Sequence, residues 1–250
     1  MKPLHGQKVL ILGATSLIAQ EVSKLLADRQ CPLFLVGRDA AKLCAIAADL
    51  KVRGAAKVGT ATADLTDTAL HDQIIEDAVH FLNGIDIALI AHGFLGVQKE
   101  ANECWERTRE ILDVNFLSPA SLASRLANLF ETSGAGHLVV IGSVAGDRGK
   151  KGNYAYGAAK AGIEVFLEGI RHRLASTSGQ VLLIKPGFVD TPMTAHLPKS
   201  PLFSSASTTA RGIVAAIESG RSVVYLPRFW RYVMAAIRIL PEPIFNKLSL

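Results

Sequence analysis

The stretch Val9-Leu10-Ile11-Leu12-Gly13-Ala14-Thr15-Ser16-Leu17-Ile18-Ala19 passes from four apolar residues through a turn of small ones into a helical pattern continued by Val22, Leu25 and Leu26. A short apolar run ended by glycine is how a strand buried on both faces of a parallel sheet reads. With residues 9–13 as the first such strand, six more runs follow at 33–37, 58–64, 85–91, 138–143, 181–185 and 223–226. Longer segments of helical period separate them. The clearest is 153–175, where Ala159, Ile163, Phe166, Ile170 and Leu174 form one apolar stripe. Segment 98–133 contains Pro119 and reads either as two helices with Ser118 as a cap or as one kinked helix. The alternation predicts an α/β fold: a doubly wound, seven-stranded parallel sheet with helices on both faces. A C-terminal amphipathic helix is added to it, dividing the chain into 1–227 and 228–250.

The 250 residues are 49% hydrophobic and 20% charged, with 21 glycines and 10 prolines. That excludes a disordered or collagen-like chain and allows one large core. Cys31, Cys44 and Cys104 are far apart and form no CxxC pair, so neither a disulfide framework nor a zinc ribbon is expected, and no metal. A reducing, cytoplasmic setting fits best. The first residues lack an apolar run behind a basic tip, and no uninterrupted run of about 18 apolar residues occurs, so neither a signal peptide nor a spanning helix is expected. The net charge of +5 is uneven. Residues 221–250 hold Arg221, Arg228, Arg231, Arg238 and Lys247 against Glu242, a net +4, which leaves +1 for the rest. Nucleic-acid binding is not expected, because this charge follows no recognisable reading helix.

A strand, a tight turn and a helix in succession aim backbone N–H groups and the positive helix end at an anion, and small residues let a phosphate approach. Gly13, Thr15, Ser16, Leu17 and Ile18 are candidates for such a cradle. Dinucleotide folds often carry glycine where this chain has Leu17 and Ala19, so a purely structural turn fits the local residues equally well. At the tip of the second strand, Gly37-Arg38-Asp39 places arginine where an acidic side chain would accept from a ribose 2′-hydroxyl. Arginine pairs instead with a 2′-phosphate, which favours NADP(H) over NAD(H). The alternative is a solvated arginine opening a helix. Asp64, followed by Leu65, is either an acceptor for an adenine amino group or a cap for the helix beginning near Thr66.

Tyr156-Gly157-Ala158-Ala159-Lys160 sets a phenol and an ammonium one turn apart on one helix face. A phenol becomes a usable proton donor and acceptor near neutrality when a cation stabilises its anion. Ser143, at the tip of the fifth strand, can hold a substrate oxygen beside it, and Asn115 can anchor a water beneath the lysine. Tyr154 is the rival phenol, but its i+4 partner is the uncharged Ala158. On its own, a Tyr–Lys pair on a helix reads as a solvated face.

The combined set is more specific. The small-residue turn, Asp64, Asn115, Ser143, Tyr156-xxx-Lys160 and Pro186-Gly187-Phe188-Val189-Asp190-Thr191 resemble the short-chain dehydrogenase/reductase family. The resemblance runs from residue 8 to about residue 227. It implies a Rossmann-type fold, a homo-oligomer and an NAD(P)-dependent oxidoreductase acting on a ketone or secondary alcohol. Ser143, Tyr156, Lys160 and Asn115 would form a catalytic tetrad, with Tyr156 protonating the carbonyl oxygen, Ser143 positioning the substrate, and Lys160 binding the nicotinamide ribose and assisting Tyr156. Further cofactor contacts would come from Ala91, His92, Gly93, Pro186 and Gly187, with Val189 and Thr191 holding the nicotinamide carboxamide. Two features depart from the family. The turn lacks its later glycines, and the fourth strand ends Ala91-His92-Gly93 where the family usually has Asn-Asn-Ala-Gly. Weaker cofactor binding is expected, with His92 packed or hydrogen-bonded rather than a base.

Between Ser143 and Tyr156, the segment from Ala145 to Asn153 is basic and glycine-rich, either a receptor for an anionic head group or a solvated loop. Near the end of the chain Phe229, Trp230, Val233, Met234, Ile237 and Leu240 recur at helical spacing, with Arg228, Arg231 and Arg238 outside the stripe, and Pro241 stops the helix. Ile244, Phe245 and Leu248 would extend its apolar surface. Such a helix either lies on an anionic membrane or covers the core or a dimer partner. A narrower resemblance, to reductases of 2-keto sugars carried on a polyprenyl phosphate, rests on Ser143 to Arg148, Asn153 to Gly157, Met193 to His196 and the tail from Phe229 to Leu248. It implies a lipid-linked carbonyl substrate and a peripheral place on the inner face of the membrane, although Arg38 departs from the NADH use of those reductases. Two other classes remain open: a nucleotide-sensing module, favoured by the altered turn and opposed by the Ser143, Tyr156 and Lys160 set, and a membrane scaffold in which the tail matters most.

Overall fold

A computed structural model describes residues 4–247; Leu248 lies outside them. The chain runs β1 (Val9–Leu12), α1 (Leu17–Ala27), β2 (Leu33–Gly37), α2 (Ala40–Val52), β3 (Val58–Thr62), α3 (His71–Leu82) and β4 (Ile87–Ile90). It continues with α4 (Gln98–Glu103), α5 (Trp105–Leu112), α6 (Ser118–Ser133), β5 (Ala135–Ile141), α7 (Tyr154–Arg173) and β6 (Ser178–Pro186). Last come β7 (Val189–Asp190), β8 (Ser204–Ser205), α8 (Ala206–Glu218), β9 (Val223–Leu226), α9 (Trp230–Ile239) and α10 (Glu242–Phe245).

All seven apolar runs form strands of one parallel sheet in the order β3-β2-β1-β4-β5-β6-β9. Val9 pairs with Leu33 on one side and Ile87 on the other, so β1 is central. Its residues alternate between two cores. Val9 and Ile11 pack under α1, α2 and α8, while Leu10 and Leu12 pack under α3, α6 and α7. The sheet order reverses between β1 and β4, which opens a crevice at the carboxyl ends of the strands. One detail is added to the expected sheet: Val189–Asp190 and Ser204–Ser205 pair as a separate parallel ribbon, too short to show any periodicity.

Segment 98–133 is neither a capped break nor a proline kink. After α5 the helix widens into a π-type turn over Asp113–Leu117, closed by Ser118 N–H to the Asp113 carbonyl, and then continues as α6. Pro119 falls in the first turn of α6, where a missing N–H is tolerated. Ser118 does not cap; its hydroxyl donates to the Leu65 carbonyl.

The tail stripe is seated on the protein itself. Trp230 and Met234 are buried with Val144, and Phe188, Tyr225, Val233 and Ile237 pack around them. Arg148, in the basic loop, donates to the Ile237 carbonyl and, at 2.7 Å, to the Leu240 carbonyl, and lies over the Phe245 ring at 3.8 Å. It thereby occupies the orphan carbonyls at the end of α9. Phe229, Tyr232, Ile239 and Ile244 stay exposed, as do Arg228, Arg231 and Arg238. Among the described residues no helix is long and apolar enough to cross a membrane.

Candidate active site

The crevice is a cleft of about 570 Å³, and every sequence-predicted site residue except Asn115 lines it. At its base Gly13 adopts φ +86°, and a Cβ there would lie 2.5 Å from the His92 backbone nitrogen, so both the turn and the neighbouring strand demand glycine. Leu17 is not at positive φ, which is why the later glycines can be absent. Ser16 caps α1 by accepting from Ala19 N–H at 3.2 Å, so the positive end of that helix faces the cleft with Thr15, Ser16, Leu17 and Ile18. At the far end Arg38 lies beside Asp64, 3.9 Å away, and both are well exposed. Asp64 Oδ1 accepts from the Thr66 N–H and hydroxyl at 3.0 and 2.8 Å, so it closes the turn and still lines the cleft. The Thr66 N–H, above all, holds its carboxyl below the usual range.

The other end is built on β5 and α7. Burial pushes the Tyr156 phenol up to about 12, outweighing the neighbouring Ser143 hydroxyl, which acts to lower it. Lys160 Nζ donates to the Ile141 carbonyl at 3.0 Å, lies 5.6 Å from the centre of the Tyr156 ring, and is pulled down to about 8 by burial. Desolvation, not the neighbouring cation, therefore dominates the phenol, and Tyr156 is fully protonated at neutral pH. The α7 N-terminus is set by α4: Gln98 Oε1 accepts from Ala155 N–H at 3.0 Å, and the Tyr154 hydroxyl donates to Asn102 at 2.7 Å, which takes the rival phenol out of the cleft.

Asn115 is fully buried beneath the cleft. Its Nδ2 donates to the carbonyls of Phe94 (2.6 Å) and Ile111 (2.9 Å), and its Oδ1 accepts from Phe94 N–H (3.1 Å). The side chain thus pins the segment after β4 and has no donor left for a water.

His92 is held by a chain of hydrogen bonds. The single Ser118 hydroxyl proton goes to Leu65 O, so the 2.9 Å contact to Ser118 is donated by His92 Nε2. Leu65 O also receives His71 Nε2–H at 2.9 Å, and His71 Nδ1 then accepts from Ser121 Oγ, itself a receiver from Arg125. Burial pushes His92 down to about 3 and lowers His71, so both rings are neutral, and His92 Nδ1 has no partner among the described residues.

Several cleft residues escaped the sequence reading. Lys42, in the first turn of α2 and four residues after Arg38, could have been found from its place at the start of the helix that follows β2. Lys150 is the one lysine of the basic loop that lines the cleft, while Arg148 is turned toward the tail. Trp230 arrives from the other end of the chain, and no local signal announces it.

Residues 7–201 match the family model described as short chain dehydrogenase. A Mycobacterium tuberculosis (strain ATCC 25618 / H37Rv) protein called an uncharacterized oxidoreductase is 33% identical over 240 residues, covering 96% of each chain. A Streptomyces coelicolor uncharacterized oxidoreductase is 29% identical over 248 residues, 97% of this chain and 96% of its own. The crystal structure of a variant actinorhodin polyketide ketoreductase with NADPH superposes at a TM-score of 0.80 over 90% of this chain and 97% of that one, a likeness of fold at 19% identity. With the parallel sheet, the glycine turn and the Ser–Tyr–Lys cleft in one molecule, these matches make the chain a member of the short-chain dehydrogenase/reductase family, an NAD(P)-dependent oxidoreductase.

Proposed function

We propose that the protein is an NADPH-dependent carbonyl reductase whose catalytic groups are Ser143, Tyr156, Lys160 and Asn115. The observation that carries this reading is the meeting of Ser143, Tyr156 and Lys160 in one cleft, with Lys160 against the phenol ring. The cleft fits a dinucleotide: Gly13 and Gly93 leave backbone close at hand, the α1 N-terminus offers N–H groups, and His92 Nδ1 offers an unpaired acceptor for a hydroxyl. When bound, that cofactor supplies the hydride delivered to the ketone carbon. Tyr156 Oη holds the proton that goes to the ketone oxygen, and its high pKa keeps that proton in place until the oxygen becomes basic. Ser143 holds the same oxygen. Lys160, fixed by Ile141 O, offsets the charge left on the phenol. With its side chain spent on Phe94 and Ile111, Asn115 acts through its main-chain carbonyl, because the α-helical donor to that carbonyl would be Pro119, which has no N–H.

Arg38 and Lys42 at the adenosine end support NADP(H) over NAD(H), since Asp39 is occupied in capping α2 through Lys42 N–H at 2.9 Å. The substrate is read as a lipid-like ketone, in the manner of decaprenylphosphoryl-ribose reductases, from the tail resemblance together with Leu95, Met193, Leu197 and Lys150 in the cleft. The exposed arginines and apolar residues of 228–250 support peripheral binding to an anionic membrane, and exposed Trp105, Leu117 and Val165 support a second copy of the chain. The test is Tyr156→Phe assayed with NADPH and a panel of lipid-linked and free ketones. Turnover should vanish while NADPH still binds, and a rate near wild type would refute the assignment.

A further inference from the structure

Of the buried residues clustered behind the basic loop, Trp230 has the most unusual surroundings. The indole is 4% exposed yet lines the cleft, and it lies so close on Gly187 that a Cβ there would overlap its Nε1 and Cε2 atoms. Gly187 is therefore glycine to admit the ring. Phe188 meets the indole edge-on and Phe229 stacks on it, each with ring centres 5.6 Å apart. The indole N–H is buried and has no acceptor among the described residues, although a buried donor is normally paired. The helix that carries Trp230 is also fastened to the loop that starts at Ser143, because Arg148 holds the carbonyls of Ile237 and Leu240; the same loop is tied to β9, which leads into the helix, by the Tyr225 hydroxyl donating to Asp147 at 3.0 Å. The tail is thus tied to both walls of the carbonyl end of the cleft, at Gly187 and at the Ser143 loop.

We propose that Trp230 is a cofactor-contacting and positioning residue: the C-terminal helix inserts its indole as the wall of the cleft at Gly187, against which the nicotinamide end of the dinucleotide is held. This rests on the dinucleotide reading of the cleft. It makes residues 230–239 part of the active site, whatever their exposed face binds.

The chain has two tryptophans, and the other, Trp105, is 66% exposed and outside the cleft. Oxidised dinucleotide does not absorb where indole emits, so energy transfer is excluded, and excitation at the red edge of the indole band, where the dinucleotide absorbs little, leaves contact quenching to be read. Full-length Trp105→Phe and Trp230→Phe are titrated with NADP⁺ while calorimetry measures binding independently. On saturation the emission of Trp105→Phe, whose sole indole is Trp230, should fall by half or more, and that of Trp230→Phe should stay constant. Trp230→Phe, which also gives up buried packing, should bind NADP⁺ several-fold more weakly at a temperature where its cooperative melting transition shows it still fully folded. Saturable binding to Trp105→Phe without quenching overturns the role given to Trp230 alone. Absence of calorimetric binding to the wild-type chain overturns the dinucleotide reading, and this proposal with it.

Discussion

Replacing Lys185 with methionine would test the charge arrangement behind the cleft. Its side chain is 1% exposed, and its Nζ is held by the equally buried Asp147 and by both Glu164 oxygens at 2.8 and 2.6 Å. Burial favours loss of the ammonium proton, but hydrogen bonds to Asp147 and Glu164 outweigh it and hold the Lys185 pKa above its ordinary value. Methionine keeps the length of the side chain and removes the cation, which leaves Asp147 with only the Tyr225 hydroxyl. Breaking a buried pair from one side costs about 3–5 kcal/mol, because the remaining charge is stranded. In a chain of this size each kcal/mol shifts the melting midpoint by about 2–4 °C, so the midpoint should fall by about 6–20 °C. A lysine whose folded pKa is raised contributes stability that is complete below its unfolded value of about 10.4 and lost as pH rises through the folded value. The gap between wild type and variant should therefore be constant across neutral pH and close only in strong alkali. Adding Asp147→Asn and Glu164→Gln should recover most of the loss, since no charge is then left unpaired. Thermal unfolding followed by circular dichroism reads all of this. A midpoint within about 1 °C of wild type would refute the reasoning, for the cluster would then be worth no more than an exposed ion pair.

Other expectations concern the site and the tail. For reduction, kcat/KM should be level near neutrality and fall above about pH 8 as Lys160 loses its proton, with Tyr156 adding nothing below about 12; a plateau reaching pH 10 would exclude a charged Lys160 from the step. Arg38→Asp should cut the preference for NADPH over NADH about tenfold or more, the worth of one charge-assisted bond, and an unchanged ratio of affinities would remove Arg38 from phosphate binding. Replacing Arg228, Arg231 and Arg238 with serine leaves Trp230 and Met234 in place and should weaken sedimentation with anionic vesicles about a hundredfold, at about 1 kcal/mol per charge. Equal sedimentation of the two proteins would confine the tail to its role inside the molecule.

The sheet was legible because its central strands are buried on both faces, so β1 and β2 read directly as apolar runs closed by glycine, while the edge strand β9, exposed at Val223, is still apolar throughout and closed by proline. The cleft was legible for a related reason. Its groups sit at strand tips and on the first turns of the helices that follow, where spacing along the chain fixes spacing in space; Tyr156 and Lys160 are one helical turn apart in any α-helix. What escaped depends on where long side chains go once distant segments meet. Arg148 reads as a cation offered to an anion, yet the end of α9 presents carbonyls with no helical partner, and the guanidinium takes those instead of a ligand. Asn115 reads as a water anchor, but beside the π turn its amide is spent on Phe94 and Ile111. Both departures have a common physical source: an unpaired backbone group created by a helix end or a widened turn captures the nearest polar side chain, and periodicity does not show which side chain that is. The stripe from Trp230 to Ile237 follows the same logic in apolar terms. Its spacing demands a covering surface, and the gap left by the missing side chain of Gly187 provides one on the molecule itself, so what the tail leaves exposed is its arginines with Phe229, Tyr232 and Ile239.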